Sequence, residues 1–183
     1  SGQQALVIVP EIGLTPQTIG RFEKRFQTRI VAIHSKLTDR ERLNAWLMAK
    51  KGLAQIIIAT RSGIFTAFKQ LAMIVVDEEH DLSFKQQDSF RYNARDLAVF
   101  RGRQENIPVL LGSATPSLES IANAQTGRYY HHQLLSRAGQ AQLVKHKVLD
   151  IKNQPINHGI ALGLEMEIEH HLKQGNQVLL FIN

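Results

Sequence analysis

A chain of 183 residues with 43% hydrophobic side chains can bury about two-thirds of its unfolded surface around one core, and its 22 Lys and Arg against 16 Asp and Glu leave a formal charge of +6. That charge suits an anionic partner such as nucleic acid, and it suits an ordinary solvated basic surface equally well. The absence of cysteine excludes disulfides and thiolate metal sites; no apolar run approaches the ~20 residues of a membrane span and no leader pattern opens the chain, so it reads as cytoplasmic.

The first apolar run, ALVIV at 5–9, is continuous rather than alternating, the composition of a strand covered on both faces. In the following TPQTIGRFEKRF, Thr15 is an expected N-cap, Pro16 stands at the first helical position, and Ile19, Phe22 and Phe26 form an apolar stripe. A second strand is predicted at IVAI, 30–33. Thr38 and Glu41 then make a capping box for DRERLNAWLMAKKG, with Leu43, Trp46 and Leu47 on one face and Gly52 as the C-terminal stop. QIIIA at 55–59, MIVV at 73–76 and PVLLG at 108–112 read as further strands, with helices at 93–104 and at 118–126, the latter closed by Gly127. This alternation predicts an α/β fold: a doubly wound, mainly parallel sheet with helices on both faces and ligands beyond the carboxyl ends of its strands. From 129 to 160 the pattern weakens, with Gly139, Pro155 and Gly159 breaking it, as in a linker or excursion. A helix at 162–174 leads into a last predicted strand, QVLLFI at 177–182, and a chain stopping inside such a strand is expected to be cut in mid-domain.

Three clusters carry chemistry. In MIVVDEEHDLSF, Asp77, Glu78, Glu79 and His80 follow a fully apolar strand, which sets their charges at the mouth of the ligand crevice rather than in a solvated loop. An aspartate there can orient Mg²⁺ on a nucleotide's phosphates, and the neighbouring Glu78 can polarise an attacking water. In LLGSATPS, Ser113 and Thr115 stand at the next strand end, able to bond a carboxylate or a neighbouring loop, while Pro116 and Ser117 suit the start of a helix. In FKQQDSFRYNARD, Phe84, Phe90 and Tyr92 alternate with Lys85, Arg91 and Arg95, a mixture in which bases stack while cations meet phosphates; core packing of the aromatics is the alternative. The pairs His131–His132 and His170–His171 do not form a metal site by spacing, because adjacent helical residues do not face one point.

DEEH at 77–80 and GSATPS at 112–117 resemble motifs II and III of superfamily 2 helicases, whose motor domains are RecA-like; VPEIGLTPQ at 9–17 resembles motif Ia and ATRSGIF at 59–65 motif Ib. With HSKLTDRERL and the aromatic-rich segment, these ordered blocks over residues 5–121 resemble the bacterial replication-restart helicases. The resemblance implies an ATP-dependent 3′-to-5′ DNA helicase that remodels stalled forks and initiates primosome assembly, using ATP and Mg²⁺, with zinc bound outside this chain. Single-stranded and forked DNA, primosome proteins and single-stranded-DNA-binding protein are the implied partners, at the nucleoid. It implies that Asp77 and Glu78 hold Mg²⁺ and activate water, and that Glu79 and His80 link that site to Gly112, Ser113, Ala114 and Thr115 through Ser113 and Thr115. Pro10, Glu11, Thr15, Gln17, Thr60, Arg61 and Ser62 would lie along the DNA path, and the aromatic-rich segment, Phe84, Lys85, Phe90, Arg91, Tyr92 and Arg95, would couple DNA binding to hydrolysis.

No G-x-x-x-x-G-K-[ST] loop occurs, and no Gly is followed by Lys. In the resembled family that loop lies shortly before the strand matching ALVIVPE, so the RecA-like fold is expected truncated at both ends. The expected organisation is a partial first motor domain over 1–128, a linker over 129–160 and the start of a second motor domain over 161–183. A nucleic-acid-binding or protein-docking module, or an RNA helicase of the same superfamily, are the alternative readings.

Overall fold

The computed structural model describes residues 2–134, 146–152 and 155–181. These fall into two compact units, Ser1–His132 and Gln133–Asn183.

The first unit is built on β1 (Gln4–Ile8), β2 (Ile30–Ile33), β3 (Ile56–Ala59), β4 (Leu71–Asp77) and β7 (Val109–Gly112), all parallel, in the order β2-β3-β1-β4-β7. The chain runs outward from β1 to β2 through helix α1 (Pro16–Arg25) and back to β3 through α2 (Asp39–Lys50). It then passes beyond β1 to β4 and reaches β7 through α3 (Ala94–Glu105). Because parallel crossovers are right-handed, reversing direction reverses the face on which a helix lands. The packing follows. Leu6, Ile8, Ile57, Ala59, Ile74 and Val76 form one buried cluster with Ala45 and Ala49 of α2 and Ala94 and Ala98 of α3. The alternate residues Val7, Val9, Ile56 and Ile58 pack on the other side with Phe22 of α1.

Helix starts are set locally. Thr15 accepts the Thr18 amide at 3.2 Å ahead of Pro16. At α2 the Thr38 hydroxyl accepts the Glu41 amide at 3.3 Å while the Glu41 carboxylate accepts the Thr38 amide at 2.9 Å. The buried residues of α2 are Ala45 and Ala49, and Leu43 of the apolar face is exposed. Small side chains four residues apart let the helix approach the sheet closely, and Leu43, two residues from Ala45, projects from nearly the opposite side.

The strands end in register. Ile33 pairs with Ala59, Ala59 with Ile8, Ile8 with Val76 and Val76 with Leu111. The segments that follow these strands therefore emerge along one carboxyl edge. After β4, the segment turns through a short hairpin, β5 (Lys85–Gln86) with β6 (Tyr92–Asn93), before α3; after β7 comes α4 (Leu118–Gln125), N-capped by Ser117.

In the second unit, β8 (Ile156–Asn157) and β9 (Ile160–Ala161) form a hairpin leading into α5 (Leu162–Lys173). Residues 177–181 are not a strand, against expectation, and Leu179 and Phe181 are exposed. Apolar composition makes a strand only where a neighbouring strand takes up its backbone groups, and none among the described residues does so. Residue 182 of that predicted strand, and Gly139 of the weakened stretch, lie outside the described residues.

Candidate functional site

Four of the singled-out segments meet at the carboxyl edge of the sheet. Asp77 closes β4 opposite Gly112 of β7, with its side chain exposed and its Oδ1 accepting the Glu78 amide at 3.2 Å. The chain then turns sharply: Glu78 has φ +49°, its carbonyl accepts the Asp81 amide at 2.8 Å, and the Glu79 amide donates to the Gly112 carbonyl at 3.0 Å. An open groove of 940 Å³ lies over this edge, lined by Asp77, Glu78, His80 and Thr115 together with Pro10, Thr18 and Arg21.

His80 joins the acidic turn to the β7 end. Its Nδ1 lies 2.7 Å from Ser113 Oγ and 3.6 Å from the Glu78 carboxylate, and its Nε2 lies 3.5 Å from Thr115 Oγ1. Ser113 Oγ also accepts the Thr115 amide at 3.0 Å, and the donor–acceptor sense of its contact with Nδ1 follows the imidazole tautomer. Gly112 and Ala114 complete this corner, Ala114 at the groove wall.

Glu79 turns the other way. It is buried, and its carboxylate accepts the Ser117 amide at 2.6 Å, the Ser120 hydroxyl at 2.9 Å, the Ser117 hydroxyl at 3.0 Å and Arg95 Nη1 at 3.2 Å. The expected link of Glu79 to Ser113 and Thr115 is thus corrected: His80 reaches those two residues, and Glu79 reaches the start of α4. Burial alone would raise the Glu79 carboxyl, but the Ser117 amide, the two serine hydroxyls and Arg95 outweigh it and hold the group below its ordinary value. Its stabilising contribution is therefore complete above the unfolded value near pH 4.5 and disappears as pH falls through the lower folded value. We expect the stability gap between wild type and Glu79→Gln, read as melting temperature from neutral pH down to pH about 3, to narrow only below pH about 4.5. A gap constant across that range would contradict the assignment.

The remaining expected contacts separate by exposure. Pro10 and Thr60 are buried, Thr15 serves as a helix cap, Glu11 accepts the Ser35 hydroxyl, and Gln17 and Ser62 are exposed. Arg61 Nη1 donates to the carbonyls of Ser83 at 2.9 Å and Lys85 at 3.0 Å, clasping the start of the hairpin. Within the aromatic-rich segment, Phe84 is 1% exposed in the main core and Arg95 is 8% exposed among carboxylates, so neither is presented to a nucleic acid in this conformation. Sequence alternation could not separate these two from their neighbours, because Phe84 lies in the short helical turn Leu82–Phe84 and Arg95 in the first turn of α3, on either side of the hairpin. Lys85, Phe90 and Arg91 are exposed, and Tyr92 lies between two rings, Phe90 at 5.9 Å and Phe65 at 5.0 Å edge-on. Phe65, Ser117 and Ser120 were not visible as site residues in the sequence. The signals that could have found them are an aromatic closing the motif Ib block and hydroxyls one turn apart at a helix start facing an acidic strand end.

Among the described residues no group of three or more His, Asp or Glu stands together as a metal cage, and no helix is long and apolar enough to cross a membrane. A single exposed carboxylate at a strand end fits a hard cation that takes most of its oxygens from a bound phosphate and water.

A family model described as DEAD/DEAH box helicase matches residues 1–124. The chain is 55% identical over its whole length to "Replication restart protein PriA" of Haemophilus influenzae, of which it covers 25%, and 36% identical to the protein of the same name from Bacillus subtilis, of which it covers 23%. It thus spans about a quarter of the length of these curated relatives. Among solved structures it is similar to the C-terminal domain of the DEAD-box protein Dbp5, at 15% identity and a TM-score of 0.49, covering 68% of this chain and 69% of that one.

Proposed function

The chain belongs to the DEAD/DEAH box helicase family, and on that premise we propose that it is part of the ATPase lobe of a 3′-to-5′ DNA helicase that remodels stalled forks and starts primosome assembly. The observation that supports this best is the shared carboxyl edge, where Asp77 and Glu78 face an open groove and His80 bonds Ser113. With Mg²⁺ bound on a nucleotide, the metal would neutralise charge on the transferring phosphoryl group. Asp77 is the residue that would hold it. Glu78 would orient the attacking water and take up its proton, and His80 would keep the Glu78 carboxylate aligned with the Ser113–Thr115 corner. Single-stranded DNA would run along Gln17, Ser62, Lys85, Phe90, Arg91 and Tyr92, where rings and cations alternate. Pro10, Glu11, Thr15, Thr60 and Arg61 shape that path from behind.

Residues 1–128 are read as part of the first motor domain and 161–183 as the start of the second, joined by 129–160. Forked DNA, primosome proteins and single-stranded-DNA-binding protein are the proposed partners, in the cytoplasm at the nucleoid, and zinc belongs to the rest of the protein. The 183 residues contain no phosphate-cradling loop, and positioning is most of phosphoryl-transfer catalysis. This chain by itself is therefore expected to hydrolyse no ATP; Mg²⁺-dependent turnover by rigorously purified chain would contradict that.

The test of the whole reading is ATP hydrolysis by the full-length protein with no nucleic acid, with single-stranded DNA and with RNA of the same sequence. Hydrolysis stimulated by DNA and not by RNA is expected. Equal stimulation by RNA would favour an RNA helicase, and DNA binding without hydrolysis would leave a binding module.

A further inference from the structure

Four described non-glycine residues have φ in the left-handed region: Glu78, Ser89, Asn106 and His158. Three have local reasons. Ser89 and His158 sit in hairpin turns, and Asn106 is the C-cap of α3. Glu78 follows directly on a core strand, carries a long side chain, and is the residue proposed to orient water. A side chain with a Cβ disfavours this backbone region, so something beside it must hold it there.

On the N-terminal side the hold is the β4–β7 ladder, ending at Asp77 opposite Gly112. On the C-terminal side it is Glu79, whose buried carboxylate accepts all four bonds described above. Arg95 closes that arrangement. Its Nη1 donates to Glu79 and, at 2.7 Å, to Ser117 Oγ, while its Nε donates to Asp96 at 2.9 Å. Arg95 is the second residue of α3, and its amide donates to the capping Asn93 Oδ1 at 3.0 Å, so its backbone is held at the helix start. One cation thus joins three elements, the end of β4, the start of α3 and the start of α4.

We propose that Arg95 is a positioning residue for ATP hydrolysis: by pinning the Glu79 carboxylate to the start of α4, it keeps Glu78 in its left-handed backbone with the carboxylate aimed into the groove. This rests on the function proposed above. Without the pin, the Glu78 peptide relaxes toward an ordinary conformation and its carboxylate leaves the line of attack. Nucleotide affinity, set by other groups, is untouched.

The experiment is steady-state ATP hydrolysis by the full-length protein with saturating single-stranded DNA, well below the melting temperature of every variant. Arg95→Met is expected to lower kcat by about tenfold or more with KM for ATP within about twofold. Arg95→Lys, whose ammonium can still reach Glu79, should recover part of that loss. Arg95→Met combined with Glu79→Gln should be no worse than the worse single variant, because the two act as one unit. A lowered melting temperature with kcat unchanged would mean that Arg95 only neutralises a buried charge, and would overturn the proposal. If Arg95→Met does not fold, Ser120→Ala removes one of the bonds to Glu79 without stranding a charge; a kcat loss of about twofold or more supports the pin and no loss overturns it. Wild-type protein that does not hydrolyse ATP would instead remove the functional reading itself, and the pin with it.

Discussion

Asp77→Asn in the full-length protein is expected to reduce DNA-stimulated ATP hydrolysis by at least about a hundredfold while leaving single-stranded DNA binding near wild type. Asp77 is exposed at the end of β4 and makes one hydrogen bond, accepting the amide of Glu78. Asparagine keeps an oxygen for that bond and nearly the same volume, so folding should change by no more than about 0.5 kcal/mol. What is lost is one full negative charge at the place where a hard cation on a phosphate would need it. The surfaces proposed for DNA, Gln17, Ser62 and the hairpin from Lys85 to Tyr92, are not bonded to Asp77, so affinity for DNA has no reason to fall. The measurements are ATP turnover over a range of Mg²⁺ concentrations and DNA binding by fluorescence anisotropy without nucleotide. Retained turnover in Asp77→Asn would mean that the acidic turn is not a hydrolytic centre. A parallel loss of DNA binding would mean that the substitution disturbs the whole edge rather than one charge.

The fold could be read from the sequence because parallel strands buried on both faces leave a plain mark: IVAI, QIIIA and MIVV are apolar throughout, and each became a strand at or within two residues of its expected bounds. Turn chemistry was equally legible, since Thr38 and Glu41 act on neighbours three residues away and need nothing distant to do so. The approximate place of the site followed from both, because acids after a buried strand must emerge at the sheet's edge. The partners of each acid did not follow. Glu79 and His80 are adjacent in sequence and leave the strand in opposite directions, and which of them meets Ser113 and which meets Ser117 depends on where α4 begins relative to β7. Leu43 and Phe84 teach the same lesson from the side of packing. Leu43, apolar by composition, is exposed; Phe84, expected beside nucleic acid, is buried. Hydropathy supplies a residue's preference, whereas the separation of helix and sheet decides whether leucine or alanine fits between them.

Close approach also constrains Gly63, and Gly63→Ala is expected to destabilise the chain by about 1–3 kcal/mol. Gly63 is buried in the short helical turn Arg61–Phe65 that follows β3, donating to the Thr60 carbonyl at 2.8 Å and accepting the Thr66 amide at 3.0 Å. A Cβ added there would lie 2.1 Å from the Cβ of Ala59, far inside van der Waals contact, and neither atom belongs to a side chain that can swing aside. The backbone must move. Ala59 is held in register with Ile33 on one side and Ile8 on the other and is fully buried, so the turn yields rather than the strand. Moving the turn carries Arg61 away from the Ser83 and Lys85 carbonyls and Phe65 away from Tyr92, so the stability loss should come with a loosened hairpin. The diagnostic partner is Ala59→Gly, which removes the clashing methyl. Alone it should cost stability, as glycine in a strand does; combined with Gly63→Ala it should recover at least about half of the loss, a coupling that distant sites do not show. Thermal unfolding of the four chains decides it. Additive losses would mean that the clash is relieved elsewhere, and that the turn bearing the motif Ib residues is not held against β3 as tightly as its geometry requires.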